Sequence, residues 1–259
     1  MPFTAAHPMA VLPLLHWRRR LGLDATCLVI GSLVPDFEYF VRAEQISTIS
    51  HTLRGLWRWD LPATLILAAL VHLVVKWPML LVAPAAVTRR TLAAIGAPWR
   101  ARWGAAAVAS CLGSAVIGSA THLAWDSLTH ANGWGPRHVH ALTTPLSVPL
   151  LGTMVAHRVL QHTSTIIGLV VLTVVVARAI RRAAPVAVPE LPRTAARWLV
   201  AGCTIVAVAL TTARLVVMHR TGIGDLIVAV IAGLLAGMLL ASAILFGPGR
   251  RLQRAATTP

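Results

Sequence analysis

Apolar positions along this chain fall in long unbroken runs, and a run of about 20 such residues is what a helix needs to cross a bilayer. Five runs predict spans. They are about Leu61 to Ala83, interrupted by Lys76 and Pro78; Trp103 to Trp125, free of charge; about Ser164 to Ala177; about Trp198 to Met218, with Arg214 near its end; and Leu226 to Gly247. Two shorter runs come first, Pro8 to Trp17 and Ala25 to Val34, each too short to span and so expected as interfacial or re-entrant helices. The expected fold class is all-α, a polytopic helical membrane protein with about five transmembrane helices plus short N-terminal interfacial or re-entrant helices. The stretch APVAVPELP, Ala184 to Pro192, is rich in proline and reads as a linker. It divides the chain into a site-bearing membrane domain (1–183), a Pro/Arg-rich linker (184–197) and a region with two further spans and a basic tail (198–259).

Composition agrees with the pattern. Of 259 residues, 57% are hydrophobic and 12% charged, with a mean hydropathy of +0.74, whereas a soluble domain carries about 25% charged residues. The formal charge of +15 would suit nucleic acid if it formed one stripe, but the arginines flank the apolar runs, as topology signals do. The expected partners are therefore membrane lipids and no nucleic acid, and nothing in the sequence sets an oligomeric state. Arginines 89, 90, 100 and 102, then 178, 181, 182, 193 and 197, then 250, 251 and 254 mark three cytoplasmic segments. The connections holding Arg137, Arg158 and Arg220 then face outward. This places the chain in the cytoplasmic (inner) membrane with its C-terminus inside, although the outward N-terminal segment also carries Arg18, Arg19, Arg20, Arg42, Arg54 and Arg58. Whatever the side, residues before the first span and residues after the second share a face, because two crossings separate them. In the N-terminal stretch the arginines follow the apolar residues, the reverse of a secretory signal, so it is expected to be retained. Trp17, Trp57, Trp59, Trp103 and Trp134 are expected as an aromatic belt. Cys27, Cys111 and Cys203 are odd in number and widely spaced, which suggests neither a disulfide framework nor a thiolate zinc site.

The chemistry gathers in four polar clusters. TAAHP holds His7, GSLVPDFEYF holds Asp36 and Glu38, ISHT holds His51, and THLAWDSLTH holds His122, Asp126 and His130 at intervals of four. At about 3.6 residues per turn, a helix stacks that last trio in one column. By the crossing count all four clusters belong to one face, the extracytoplasmic one if the charges orient the chain as above. Singly each has a plainer role: a solvated or capping histidine, a turn aspartate after proline, a surface glutamate, an Asp–His hydrogen bond within a bundle. Together they suit a divalent cation, zinc first and manganese or iron as alternatives, because converging His and Asp groups without thiolates favour hard or borderline ions, and ionisable groups at a membrane edge are costly unless used. His162, in QHTS at the start of the third span, is a further ligand, a general acid or simply a helix-start residue. His72, inside the first span, fits a structural hydrogen bond. Arg137, His138 and His140 lie in a glycine- and proline-marked loop suited to an anionic headgroup or to solvent. Neither GxSxG nor a phosphate-cradling glycine loop occurs.

The motifs MPFTAAHP, GSLVPDFEYF, SHTLRG, THLAWDSLTHANGWG and LQHTSTIIGL, in this order over roughly residues 1 to 180, resemble the bacterial membrane-protein family known as Domain of Unknown Function 4184. The last two spans look like a less characteristic extension. More distantly, the order His, Pro-Asp, Ser-His, His-x3-Asp resembles membrane-bound metal-dependent hydrolases and zinc-dependent phospholipase C-like proteins. That likeness implies His7, Asp36, His51, His122 and Asp126 as metal ligands, with His130 or His162 completing the shell or serving catalysis. PDFEYF departs from the PD-x-D-H form of those hydrolases, which would leave Glu38 as the second carboxylate of that motif. The function expected is a membrane-embedded hydrolase of a lipid-like or phosphoester substrate at the membrane edge, with Arg54, Arg58 and Arg137 holding phosphate. The alternatives are a transporter or assembly protein whose His/Asp column lines a polar cavity, and a haem protein using His72 and His122.

Overall fold

The structure is a computed structural model and describes residues 3–95, 104–150, 152–186, 193–218 and 222–257. Trp103 of the expected belt, the loop arginines Arg100, Arg102 and Arg220, and residues 187–192 of the linker lie outside the described residues. Among the described residues, five helices are long and apolar enough to cross a membrane: Leu56–Val82, Ala105–Thr129, Ala156–Arg182, Thr194–Val217 and Ile223–Ile244. They answer one for one to the five apolar runs, so the chain is a multi-pass helical membrane protein. The helices extend past several runs because polar residues carry on the helix beyond the apolar stretch. The third, expected from Ser164, starts at Ala156 and takes in His157, Arg158, Gln161 and His162.

The chain divides into two compact units, each described by itself. The first comprises Met1–Asp36, Thr48–Leu65 and Gly104–Val176. It opens with a 3-10 helix, Thr4–Val11, followed by α1 (Leu12–Leu21), α2 (Ala25–Gly31) and a 3-10 turn, Val34–Asp36. α1 stops at Gly22, whose φ of 63° is a left-handed C-cap suited to glycine. α2 begins at Asp24, whose carboxylate accepts from the Cys27 N–H and whose own N–H donates to the Ser114 hydroxyl.

α2 packs along the middle of α7 (Ala105–Thr129), against the stretch from Cys111 to Ser119. Small residues permit this close approach. A Cβ added to Gly31 would sit 2.6 Å from the Ala115 carbonyl oxygen, and one on Gly118 would strike the α2 backbone. Ser119 Oγ donates to the Gly31 carbonyl at 3.0 Å. Cys27 and Cys111 are joined as a disulfide across this seam with Cα atoms 5.4 Å apart. This corrects the expectation of unlinked cysteines: 84 residues separate the partners in sequence, and only the α2–α7 packing brings them together. Beyond α7 come the short α8 (Trp134–His138), a β-hairpin of β1 (Pro145–Val148) and β2 (Gly152–Val155), and α9 (Ala156–Arg182). The hairpin pairs Pro145 with Val155 antiparallel and is the one departure from an all-α chain among the described residues.

The second unit comprises Phe37–Ser47, Ile66–Trp103 and Ala177–Pro259. α10 (Arg193–Met218) and α11 (Ile223–Ile244) pack as an antiparallel pair in which Gly233 and Gly237 meet the Ala207 and Cys203 carbonyls. The Leu56–Val82 helix contains α4 (Leu61–Leu70) and α5 (Lys76–Val82), α6 is Ala85–Ile95, and α12 (Phe246–Thr257) buries Leu252 against Trp77, Leu80 and Leu92. The short α3 (Phe37–Arg42) holds an internal ion pair, Glu38 to Arg42 at 2.9 Å, and its last carbonyls accept from the Arg214 guanidinium.

Candidate metal centre

α7 presents His122 and Asp126 from successive turns of one face, with His122 Nε2 and Asp126 Oδ2 3.3 Å apart. Asp36 arrives from the far end of α2, its Oδ1 3.6 Å from His122 Nε2. His51, in the loop before the Leu56–Val82 helix, places Nε2 3.4 Å from Asp36 Oδ1 and 3.5 Å from Asp126 Oδ2. One donor atom from each of these four residues lies within 4.8 Å of the others. His7 adjoins this group of four. Its ring stacks on His122 with centroids 3.6 Å apart, and its Nε2 is 3.7 Å from Asp126 Oδ1.

These separations are too long for good hydrogen bonds. Among the described residues, His7 Nδ1 and Nε2, Asp36 Oδ1, His122 Nε2 and both oxygens of Asp126 are buried without one. A single buried orphan costs about 1–3 kcal/mol, and a cation bound among these atoms would offset that cost. Four ligands held about 2.0–2.2 Å from a tetrahedral ion stand about 3.3–3.6 Å from one another, and the carboxylate–imidazole separations here run from 3.3 to 3.7 Å. Three imidazoles and two carboxylates without a thiolate form a donor set that zinc, manganese or iron accepts. On both counts the residues present fit a divalent ion.

A surrounding layer fixes the donors. Thr4 Oγ1 donates to Asp36 Oδ2 at 2.6 Å, His122 Nδ1 meets the Ser32 carbonyl at 2.8 Å, and His51 Nδ1 meets Ser50 Oγ at 3.0 Å. The first leaves the other Asp36 oxygen, and the next two leave Nε2 of each imidazole, turned to the cluster. Burial and the imidazole of His122 push the His7 ring down to about 4. Burial also opposes charge on His51, but the Asp126 and Asp36 carboxylates outweigh it and raise that ring to about 9. Burial would raise Asp36, yet the imidazoles of His51, His122 and His7 hold it below the usual carboxylate range.

The remaining expected residues are placed differently. α7 ends at Thr129, so His130 is not the third member of a helical column. It is an extended C-cap whose Nδ1 lies 3.0 Å from the Asp126 carbonyl oxygen and 3.6 Å from Asp126 Oδ1, at a partly exposed rim. His162 is exposed on α9 and is no member of the cluster. Arg54, Arg58 and Arg137 are exposed. Glu38 is engaged by Arg42 and the Ser47 hydroxyl, and the second carboxylate of the cluster is Asp126. Sequence reasoning missed Thr4, Ser32 and Ser50; only Ser50, adjacent to His51 in ISHT, carried a local hint. It also passed over Asp60, which is fully buried on the turn Leu56–Asp60.

No curated protein and no solved structure gives a significant match to this chain. A family profile does, over residues 1–243, so the likeness takes in the last two spans as well as the motif-bearing region where it was expected. Spanning nearly all of the 259 residues, that match shows that the chain belongs to the family described as a domain of unknown function, DUF4184.

Proposed function

We propose that this protein is a membrane-embedded, metal-dependent hydrolase that acts on a lipid-like or phosphoester substrate at the membrane edge. The observation that carries the reading is the convergence of buried, unsatisfied donors from His7, Asp36, His122 and Asp126, with His51, at the end of a transmembrane helix. These five side chains would hold the ion, zinc in preference to manganese or iron. Held by these residues, a divalent ion would supply Lewis acidity and would lower the pKa of water to about 7, near neutral pH. Asp126 orients the imidazoles around it, and the half-exposed His130 beside it is placed to pass a proton between the centre and solvent. Arg54, Arg58 and Arg137, all exposed, are available for a phosphate group. The loop arginines orient the chain in the inner membrane with the C-terminus inside and the centre on the extracytoplasmic face. The cavity beside His7 is walled mainly by Ala6, Met9, Ala10 and Trp125, which favours an apolar substrate.

Metal analysis of the purified protein tests the reading. Near-stoichiometric zinc, manganese or iron is expected, falling to background in the His122→Ala, Asp126→Ala double variant, together with metal-dependent hydrolysis of phospholipid vesicles that the double variant lacks. Metal at background in both proteins would end the proposal. Stoichiometric metal without any hydrolysis of phosphoester or acyl-ester substrates would retire the enzyme and leave a metal-binding protein.

A further inference from the structure

The three histidines of the centre differ at their second ring nitrogen. Metal-binding imidazoles generally give the other N–H to a carbonyl, carboxylate or hydroxyl, and His122 and His51 have Ser32 and Ser50 for this. His7 has no such partner: its Nδ1 is buried without a hydrogen bond among the described residues, in a side chain only 1% exposed. The same residue lines a cavity of about 60 Å³ formed with Ala6, Met9, Ala10, Trp125 and Ser164. The walls are fixed from several directions. The Thr4–Val11 helix is tied to α9 by the Phe3 N–H donating to Thr165 Oγ1 at 3.1 Å, and Trp125 Nε1 donates to Ser164 Oγ at 3.3 Å. The indole N–H and the Ser164 hydroxyl are thus occupied, the latter also donating to the Gln161 carbonyl at 3.0 Å. The cavity therefore has mainly apolar walls, and one residue that lines it, His7, carries a buried ring nitrogen with no hydrogen-bond partner.

We propose that this cavity binds the end of an acyl chain, with His7 Nδ1–H donating to the oxygen that terminates the chain. The ligand is an apolar chain carrying a carbonyl or carboxylate acceptor, from an ester lipid or a free fatty acid. The inference rests on the proposed function only for what happens next, since it names the substrate class of that centre. Binding itself is readable without turnover.

The test uses the full-length protein in nanodiscs containing a trace of a diacyl phosphatidylcholine with a diazirine near one carbonyl, a parallel sample with the corresponding diazirine fatty acid, and another with the dialkyl ether analogue. After illumination, adducts are mapped by mass spectrometry and metal is measured on the same samples. Labelling concentrated on Met9 or Ala10 is expected, stronger with the ester lipid or the acid according to the natural source. The ether analogue should label about fivefold less, the worth of one hydrogen bond. Ala10→Phe, which fills the cavity, should cut labelling about tenfold with metal content unchanged. Ile166→Phe, on the exposed apolar surface of α9, should leave labelling as it was. Label spread evenly over outward-facing residues, equal labelling by ether and ester, or undiminished labelling in Ala10→Phe would overturn the proposal. If Ala10→Phe does not fold, the ester–ether comparison on the unaltered protein decides alone. Localised labelling in a protein without metal would retire the metal centre and keep the acyl site; bound metal with no localised label would do the reverse.

Discussion

Two acid–base pairs in this chain share helical i,i+4 spacing and a buried carboxylate, and they close differently. Glu38 and Arg42 on α3 meet at 2.9 Å, with Ser47 donating to the second carboxylate oxygen. His122 and Asp126 on α7 stand 3.3 Å apart without a good hydrogen bond, and both Asp126 oxygens remain orphaned. The first pair satisfies itself and reads as structure. The second holds its donors apart around a common point, the arrangement that the proposed ion would complete. Spacing in sequence is the same in both, so the distinction lies in what each side chain meets in three dimensions.

The largest effect that could break this contrast is at Asp126. Asp126→Asn should lower metal affinity by more than about 100-fold, since it removes a negative donor from the centre of the cluster, whereas Glu38→Gln should leave metal content unchanged and lower the thermal midpoint by a few degrees. Equal metal loss in both would erase the distinction. Removing an orienting group should have a smaller effect: Thr4→Val, which takes the hydroxyl from Asp36 Oδ2, and Ser50→Ala, behind His51, should each weaken metal binding about 10–100-fold without abolishing it, as followed by competition with a fluorescent chelator. Proton linkage sharpens the picture further. The Asp126 and Asp36 carboxylates keep His51 protonated up to about 9, and a ligand imidazole must be neutral. Below that pH, ion uptake should release a proton from His51, and affinity should rise about tenfold per pH unit. Titration of metal into weakly buffered protein near neutrality should show the acid release, and His51→Ala should reduce it by about one proton per ion. The smallest effect is expected at His130, which caps a carbonyl at the rim. His130→Ala should leave metal content intact and change the pH dependence of hydrolysis more than its rate at the optimum, and loss of the metal would place it among the ligands.

Much of this architecture is legible in the sequence. Twenty-residue apolar runs dictate spans because a bilayer satisfies backbone polar groups only within a helix, and the four-residue spacing of His122 and Asp126 dictates a shared face. The same periodicity misleads at His130, because α7 ends one residue earlier and its backbone turns extended. The packing of Ala25–Gly31 against the middle of α7 could not be read either. It depends on Gly31 and Gly118 offering each other room, and neither glycine signals the other along the chain. The Cys27–Cys111 bond is hidden for the same reason.

The sequence by itself determined a multi-pass helical membrane protein, the family to which it belongs, and the residue types able to bind a cation, since hydropathy, periodicity and motif order are local properties of the chain. Tertiary structure alone decided that His7, Asp36 and His51 reach the α7 pair, that Glu38 does not join them, and that His7, which lines an apolar cavity, keeps a buried ring nitrogen without a hydrogen bond. Those outcomes depend on contacts between residues tens of positions apart, where close packing of small side chains sets the distances and no local pattern records them.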